Sequence, residues 1–191
     1  VVSYLVVAAA ASEAAYVPDG VPVLVAGIGK TAAAVSVARA LAQMPDLSDL
    51  VLVNIGTAGA LRPGLSGLHE PVAVLNHDIS ADAIRALGHD PRERLELRSG
   101  AGPVLATGDL FVADPELRDA LALRADLVDM EGYAIAYAAA EFGVPVRLLK
   151  HVSDNADEGA LEWVSLVDAS ARVLGEAVTQ LLAGREPALT V

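Results

Sequence analysis

A chain of 191 residues with 54% apolar side chains has material for one domain with a core on both faces of a sheet, and residues 1–191 read as that single domain. A formal charge of −12 disfavours nucleic-acid backbones, whose phosphates need Lys and Arg to neutralise them, so no nucleic-acid partner is expected. The absence of cysteine excludes disulfides, thiolate metal sites and cysteine nucleophiles, and two Phe, four Tyr and one Trp leave a largely aliphatic core in which each aromatic is a candidate for a flat ligand.

The chain opens on an apolar run without a basic leader that turns directly into Ser12-Glu13. A buried strand over 4–9 is expected there rather than a signal peptide. No apolar run reaches membrane-spanning length, so a cytoplasmic protein without a membrane partner is expected. Further strands are expected over 21–26, 50–55, 70–76, 103–106, 127–129 and 144–151. Helices are expected over 30–43, 115–123, 132–142 and 165–182; in the first, Ala33, Val37 and Leu41 recur at spacings of four. Apolar strand-length runs alternating with Ala-rich helical stretches predict an α/β fold with a largely parallel sheet. Residues 80–102 carry Arg85, Asp90, Arg92, Glu93, Arg94 and Glu96 and read as a solvated excursion, and the tail from Gly184 reads as frayed.

Two glycine clusters fall at strand ends. Gly27-Ile28-Gly29-Lys30-Thr31-Ala32 is not a P-loop, because Leu24 stands five residues before Gly29 where that loop needs Gly. It fits a dinucleotide turn locally, but the acid such a turn predicts at the end of the next strand is Asn54. A tight strand-to-helix turn needing glycine freedom is the better reading of it, with Lys30 as a solvated side chain. The second cluster, Asn54 to Leu61, reads as a small-residue loop just beyond a strand, where doubly wound sheets bind ligands.

Two acids stand at comparable places. Glu131, in Val-Asp-Met-Glu-Gly, opens a helix after a strand, and Asp154, in Val-Ser-Asp-Asn-Ala-Asp, ends another. Both can face one cleft, or they can be a helix-dipole partner and a turn cap. His77-Asp78 reads as polar pocket edge rather than a metal site, since adjacent strand residues face opposite ways. His151 reads as a satisfied buried histidine and Trp163 as an anchor for the last helix.

The Gly-Ile-Gly-Lys turn, the Gly-Thr-Ala-Gly segment, Thr107-Gly108-Asp109-Leu110-Phe111-Val112, Val-Asp-Met-Glu-Gly and Val-Ser-Asp-Asn-Ala-Asp occur in that order. Together they closely resemble the 5′-methylthioadenosine/S-adenosylhomocysteine nucleosidases of the purine nucleoside phosphorylase superfamily, from Val6 to about Leu182. The resemblance implies a nucleoside-phosphorylase-like fold, a mostly parallel central mixed sheet flanked by helices. It implies hydrolysis of the N-glycosidic bond of a purine nucleoside such as 5′-methylthioadenosine, S-adenosylhomocysteine or 5′-deoxyadenosine, with futalosine-type nucleosides within reach. Carried over by residue, Asp154 protonates purine N7 with Ser153 orienting it, and Glu13 polarises the attacking water. Glu131 binds the ribose 2′ and 3′ hydroxyls, Met130 packs under the sugar, Phe111 stacks on the base, the Val112 backbone reads its edge, and Thr57 and Gly59 lie against sugar and water. It further implies a homodimer; no cofactor and no metal are expected, since the sequence has no cysteine and no His or carboxylate cluster with metal spacing.

The chain departs from the resemblance in four places. The segment between Glu13 and Gly27 is short, the region after His77 differs, Lys150 stands where relatives often carry Arg, and Gly132 replaces a more usual Ala. Phosphorylases of the superfamily hold phosphate with an arginine before the Gly-Thr segment, where this chain has Val53-Asn54; that favours water as nucleophile. A phosphorylase on the same fold and a non-catalytic nucleoside- or NAD-binding module are the alternatives.

Overall fold

The computed structural model describes residues 2–157 and 163–190. The chain runs β1 (Ser3–Ala8), β2 (Val23–Val25), α1 (Lys30–Gln43), β3 (Leu50–Ala60), β4 (Gly67–His69), β5 (Ala73–Asn76), α2 (Ala81–Ala86), β6 (Arg94–Glu96), β7 (Val104–Thr107), α3 (Pro115–Leu121), β8 (Leu127–Asp129), α4 (Gly132–Glu141), β9 (Val146–Asp154) and α5 (Trp163–Leu182). The strands form one mixed sheet in the order β2-β1-β3-β8-β7-β5-β6, with β9 on β3 and β4 on β9. Pairing is parallel between β1 and β2, β1 and β3, β3 and β9, β5 and β7, and β7 and β8. It is antiparallel at β3–β8, β4–β9 and β5–β6.

β3 organises the molecule. Its first half pairs with β1 from Leu50 to Asn54, its body pairs with β9 from Leu52, and after a register shift between Ala58 and Gly59 its end pairs with β8. The expected strand over 50–55 continues to Ala60, so Gly56 to Ala60, expected as a loop, is strand. Glycine and alanine there serve close approach rather than turning: a Cβ on Gly59 would lie 3.0 Å from Asp154 Oδ1 and from Ala156 Cβ, and a Cβ on Gly56 would lie 3.2 Å from both Glu13 Oε1 and Lys150 Nζ.

The helices cover the sheet with the faces their spacing predicts. α1 buries Ala33, Val37 and Leu41 against Leu5, Val7 and Leu52. α4 turns Ala134, Ile135 and Ala138 toward that cluster and Tyr133 and Ala136 toward Val74, Leu105 and Leu127, so it is apolar nearly all round. α5 packs Leu174, Ala177, Val178 and Leu181 onto Val6, Val53 and Leu149. It begins at Trp163, whose side chain lies outside the described residues. Farther along α5, Gly175 lets the backbone of Tyr16 touch the helix; a Cβ there would sit 2.3 Å from the Tyr16 carbonyl oxygen. The Tyr16 hydroxyl also donates to Asp168 at 2.8 Å, so the turn after β1 is seated on the last helix.

The charged excursion is more ordered than its composition predicts. It contains α2 and β6, β6 pairs with β5, and the Tyr133 hydroxyl donates to the Arg92 carbonyl at 2.5 Å. The tail is tethered rather than frayed: the Thr190 amide donates to the Leu68 carbonyl at 2.7 Å, Leu68 N donates to Thr190 Oγ1, and Glu186 pairs with Arg147. Composition hid both, because charged residues can sit on a paired edge strand as readily as in a loop. No helix among the described residues is long and apolar enough to cross a membrane.

Candidate active site

The carboxyl ends of β1, β3, β8 and β9 and the loop after β7 enclose a cleft of about 350 Å³. All nine residues singled out from the sequence line it: Glu13, Thr57, Gly59, Phe111, Val112, Met130, Glu131, Ser153 and Asp154. Ile28 and Leu110 line it as well and, with Phe111, are exposed at its rim.

Glu13 lies beyond the end of β1 in a helical turn, and it is buried. Its Oε1 accepts from Thr57 N at 2.8 Å and Thr57 Oγ1 at 3.0 Å, and its Oε2 from Ala10 N at 3.3 Å. The carboxylate is thus held by donors across β3, leaving little freedom to rotate.

Glu131 occupies the N-cap position of α4 without capping it. That task falls to Asp129, whose Oδ2 accepts from Gly132 N at 2.8 Å. Glu131 Oε1 instead accepts from Gly29 N at 2.8 Å, across the cleft wall. The first glycine turn therefore presents its amide to a carboxylate of the same chain. Gly27 and Gly29 adopt φ of 89° and 91°, which only glycine enters freely. Burial, then the nearby Asp129 carboxylate, push the Glu131 carboxyl up to about 7.

Asp154 ends β9. Its Oδ2 accepts from Ser153 Oγ at 2.7 Å and its Oδ1 from Ala156 N at 2.8 Å, so it closes a turn and also faces the cleft.

Sequence reasoning missed the charge beneath the site. Lys150 is fully buried, and its Nζ lies 2.8 Å from Asp129 Oδ2, itself buried; Asp129 Oδ1 accepts from Thr107 Oγ1 at 2.5 Å. Burial alone would lower the Lys150 ammonium, but the Asp129 carboxylate outweighs it and holds the lysine above its ordinary range. The signal was available: a cation directly after Leu148-Leu149, inside an apolar strand, needs a buried partner.

Other residues fall where less was expected of them. Lys30, read as solvated, has a side chain only 18% exposed and bonded to Asn76 and Asp78. His77 packs its ring against Gly108, outside the cleft lining. The ring of His151 is half-buried and meets Ser170 Oγ at 2.9 Å, as a satisfied histidine should. Asn54 Nδ2 donates to the Val7 carbonyl at 3.0 Å.

Comparison with known proteins agrees with this geometry. Residues 15–184 match the model of the phosphorylase superfamily. A 5′-methylthioadenosine/S-adenosylhomocysteine nucleosidase of Anoxybacillus flavithermus is 32% identical over 161 residues, covering 70% of this chain and 67% of the relative. An aminodeoxyfutalosine nucleosidase of Helicobacter pylori is 40% identical over 70 residues, 36% of this chain, a match that spans only 29% of that relative. The crystal structure of a Streptococcus pneumoniae nucleosidase of the same name, in complex with 8-aminoadenine, superposes with a TM-score of 0.75 at 25% identity over 94% of this chain and 96% of that one. The chain belongs to the phosphorylase superfamily, among its 5′-methylthioadenosine/S-adenosylhomocysteine nucleosidases.

Proposed function

We propose that the chain hydrolyses the N-glycosidic bond of an adenine-type nucleoside, with 5′-methylthioadenosine, S-adenosylhomocysteine and 5′-deoxyadenosine as the substrate class. The observation that carries this reading is the convergence of Glu13, Glu131 and Asp154, from three separate strand ends, on one cleft of nucleoside size. Cleavage through an oxocarbenium-like state needs a proton for the departing base, a nucleophile below the anomeric carbon and a grip on the ribose. Asp154 delivers the proton to N7 as the C1′–N9 bond breaks. Glu13, fixed by Thr57, takes a proton from the water whose oxygen bonds to C1′. Glu131 accepts from the ribose hydroxyls, with Met130 beneath the sugar. Phe111, half exposed in the free cleft, stacks on the base, Val112 reads the base edge through its backbone, and Gly59 keeps the floor open beside Asp154.

Water is favoured over phosphate because the groups that would hold an anion are engaged: the Gly29 amide by Glu131, Lys30 by Asn76 and Asp78, and Lys150 by Asp129. Incubating the protein with 5′-methylthioadenosine, with and without phosphate, should release adenine and the free sugar at equal rates in both. A sugar 1-phosphate, or release only with phosphate, would show a phosphorylase instead.

The working unit is a homodimer, a reading supported by the apolar rim of Ile28, Leu110 and Phe111, exposed by half or more beside the cleft. Sedimentation under assay conditions should give twice the chain mass; an active monomer overturns it.

A further inference from the structure

The loop that carries Phe111 is held down by a cluster that the reaction itself does not use. Lys30, the first residue of α1, donates from Nζ to Asn76 Oδ1 at 2.8 Å and pairs with Asp78, both at the end of β5. Its backbone amide donates to Asp109 Oδ1 at 2.7 Å, and its Nζ lies 3.9 Å from Asp109 Oδ2. The Asp109 amide in turn donates to Asp78 Oδ2 at 2.8 Å. Three segments distant in sequence are thereby closed into one ring two residues before Phe111. The fit is tight at its centre, where a Cβ on Gly29 would lie 3.1 Å from Asp109 Oδ1. Burial works against the Asp78 carboxylate, but the Lys30 ammonium and the Asp109 amide hold it below its ordinary range, so Asp78 faces the lysine as a carboxylate.

The glycine turn that leads into α1 touches the site twice more. Ile28 lines the cleft, and the Gly29 amide holds Glu131. Leu110 and Phe111, by contrast, are exposed by half or more. With Leu110 and Phe111 exposed, the loop is ordered from its base, where the side chain and the amide of one lysine reach both Asp78 and Asp109.

We infer that Lys30 is a positioning residue that clasps the Phe111 loop through Asp78 and Asp109, and thereby sets affinity for the purine base rather than the rate of bond cleavage. The inference rests on the proposed function insofar as the base stacks on Phe111. A side chain that only orders a binding loop affects ground state and transition state alike, so its loss raises KM and leaves kcat.

The test uses Lys30→Met, Lys30→Arg and Asp78→Asn with three readouts: steady-state kinetics on 5′-methylthioadenosine, adenine binding by calorimetry, and hydrogen exchange of the 109–112 amides. Lys30→Met and Asp78→Asn should each raise KM and the adenine Kd about tenfold, keep kcat within about threefold and speed exchange in 109–112. Lys30→Arg, which keeps the charge, should recover most of the affinity. Unchanged exchange, or a fall in kcat at constant KM, overturns the inference. If the unmodified protein cleaves no nucleoside, the proposed function falls, while hydrogen exchange and adenine binding still judge the clasp. Asp78→Asn keeps the test decisive should Lys30→Met fail to fold.

Discussion

Asp154→Asn is expected to lower turnover by about a hundredfold or more while changing KM modestly, because it removes a proton donor and keeps the shape of the side chain. The local structure should survive. The asparagine oxygen can still accept from Ala156 N, and the Ser153 hydroxyl, now a donor to Oδ2, can rotate to accept from the new amide. This distinguishes catalysis from a purely structural role. Were Asp154 only the turn cap its bond to Ala156 N also describes, the variant would melt at a lower temperature and turn over normally per folded molecule. Kinetics and thermal melts on the same preparation decide it, and a fully active variant removes Asp154 from the reaction.

The second large effect is on stability. Lys150→Met should cost about 3–5 kcal/mol, because it leaves the buried Asp129 carboxylate without its cation. Set against a total of about 5–15 kcal/mol for a native domain, that threatens folding at physiological temperature. Replacing both members, Lys150→Met with Asp129→Asn, should recover much of the loss, since the penalty belongs to the stranded charge and the asparagine oxygen can still accept from Gly132 N. Urea denaturation of the two variants checks this, and equal stability of Lys150→Met and the unmodified protein would dismiss the pair as an element of the fold.

The pair also shapes the response to pH. Glu131, at about 7 in the folded protein against 4.5 for the free side chain, retains a proton that the unfolded chain releases. Its contribution is fully present below about pH 4.5 and is lost as pH rises to about 7. Lys150, raised above 10.5, adds a contribution lost only in strong alkali. Without Lys150, Glu131 loses a neighbouring positive charge and the upper end of its window should move higher.

Much of the architecture was legible because it follows from periodicity. Ala33, Val37 and Leu41 announce the buried face of α1, and the apolar runs ending at Asp129 and Asp154 place two acids at strand ends. The site was legible as a set of residues because a resemblance carried them. What escaped was the part of the molecule fixed by pairing across sequence distance. Gly56-Thr57-Ala58-Gly59 has the composition of a loop, and it is strand because β9 and, at Gly59, β8 supply partners that no local window contains. The apolar run before Lys150 signals a buried cation, but that its partner is Asp129 is set by pairing across the sheet, and the clasp of Lys30 joins residues from three segments. The tail, polar and short, gave no hint that Thr190 would pair with β4.

The seat of the Glu13 turn on Gly175 ties the first acid of the site to the last helix of the fold. During synthesis the β1 turn leaves the ribosome long before α5 exists, so for most of that time the turn carrying Glu13 lacks the helix on which Tyr16 seats it, even where Thr57 can already hold the carboxylate. The cleft is completed last, by a contact of very long sequence separation, and the closing of that loop is an entropic cost met only when the rest of the sheet is in place. A nascent or partly unfolded chain can therefore hold most walls of the cleft in outline and still lack a fully seated Glu13 turn, so that the cleft matures with the whole fold rather than ahead of it.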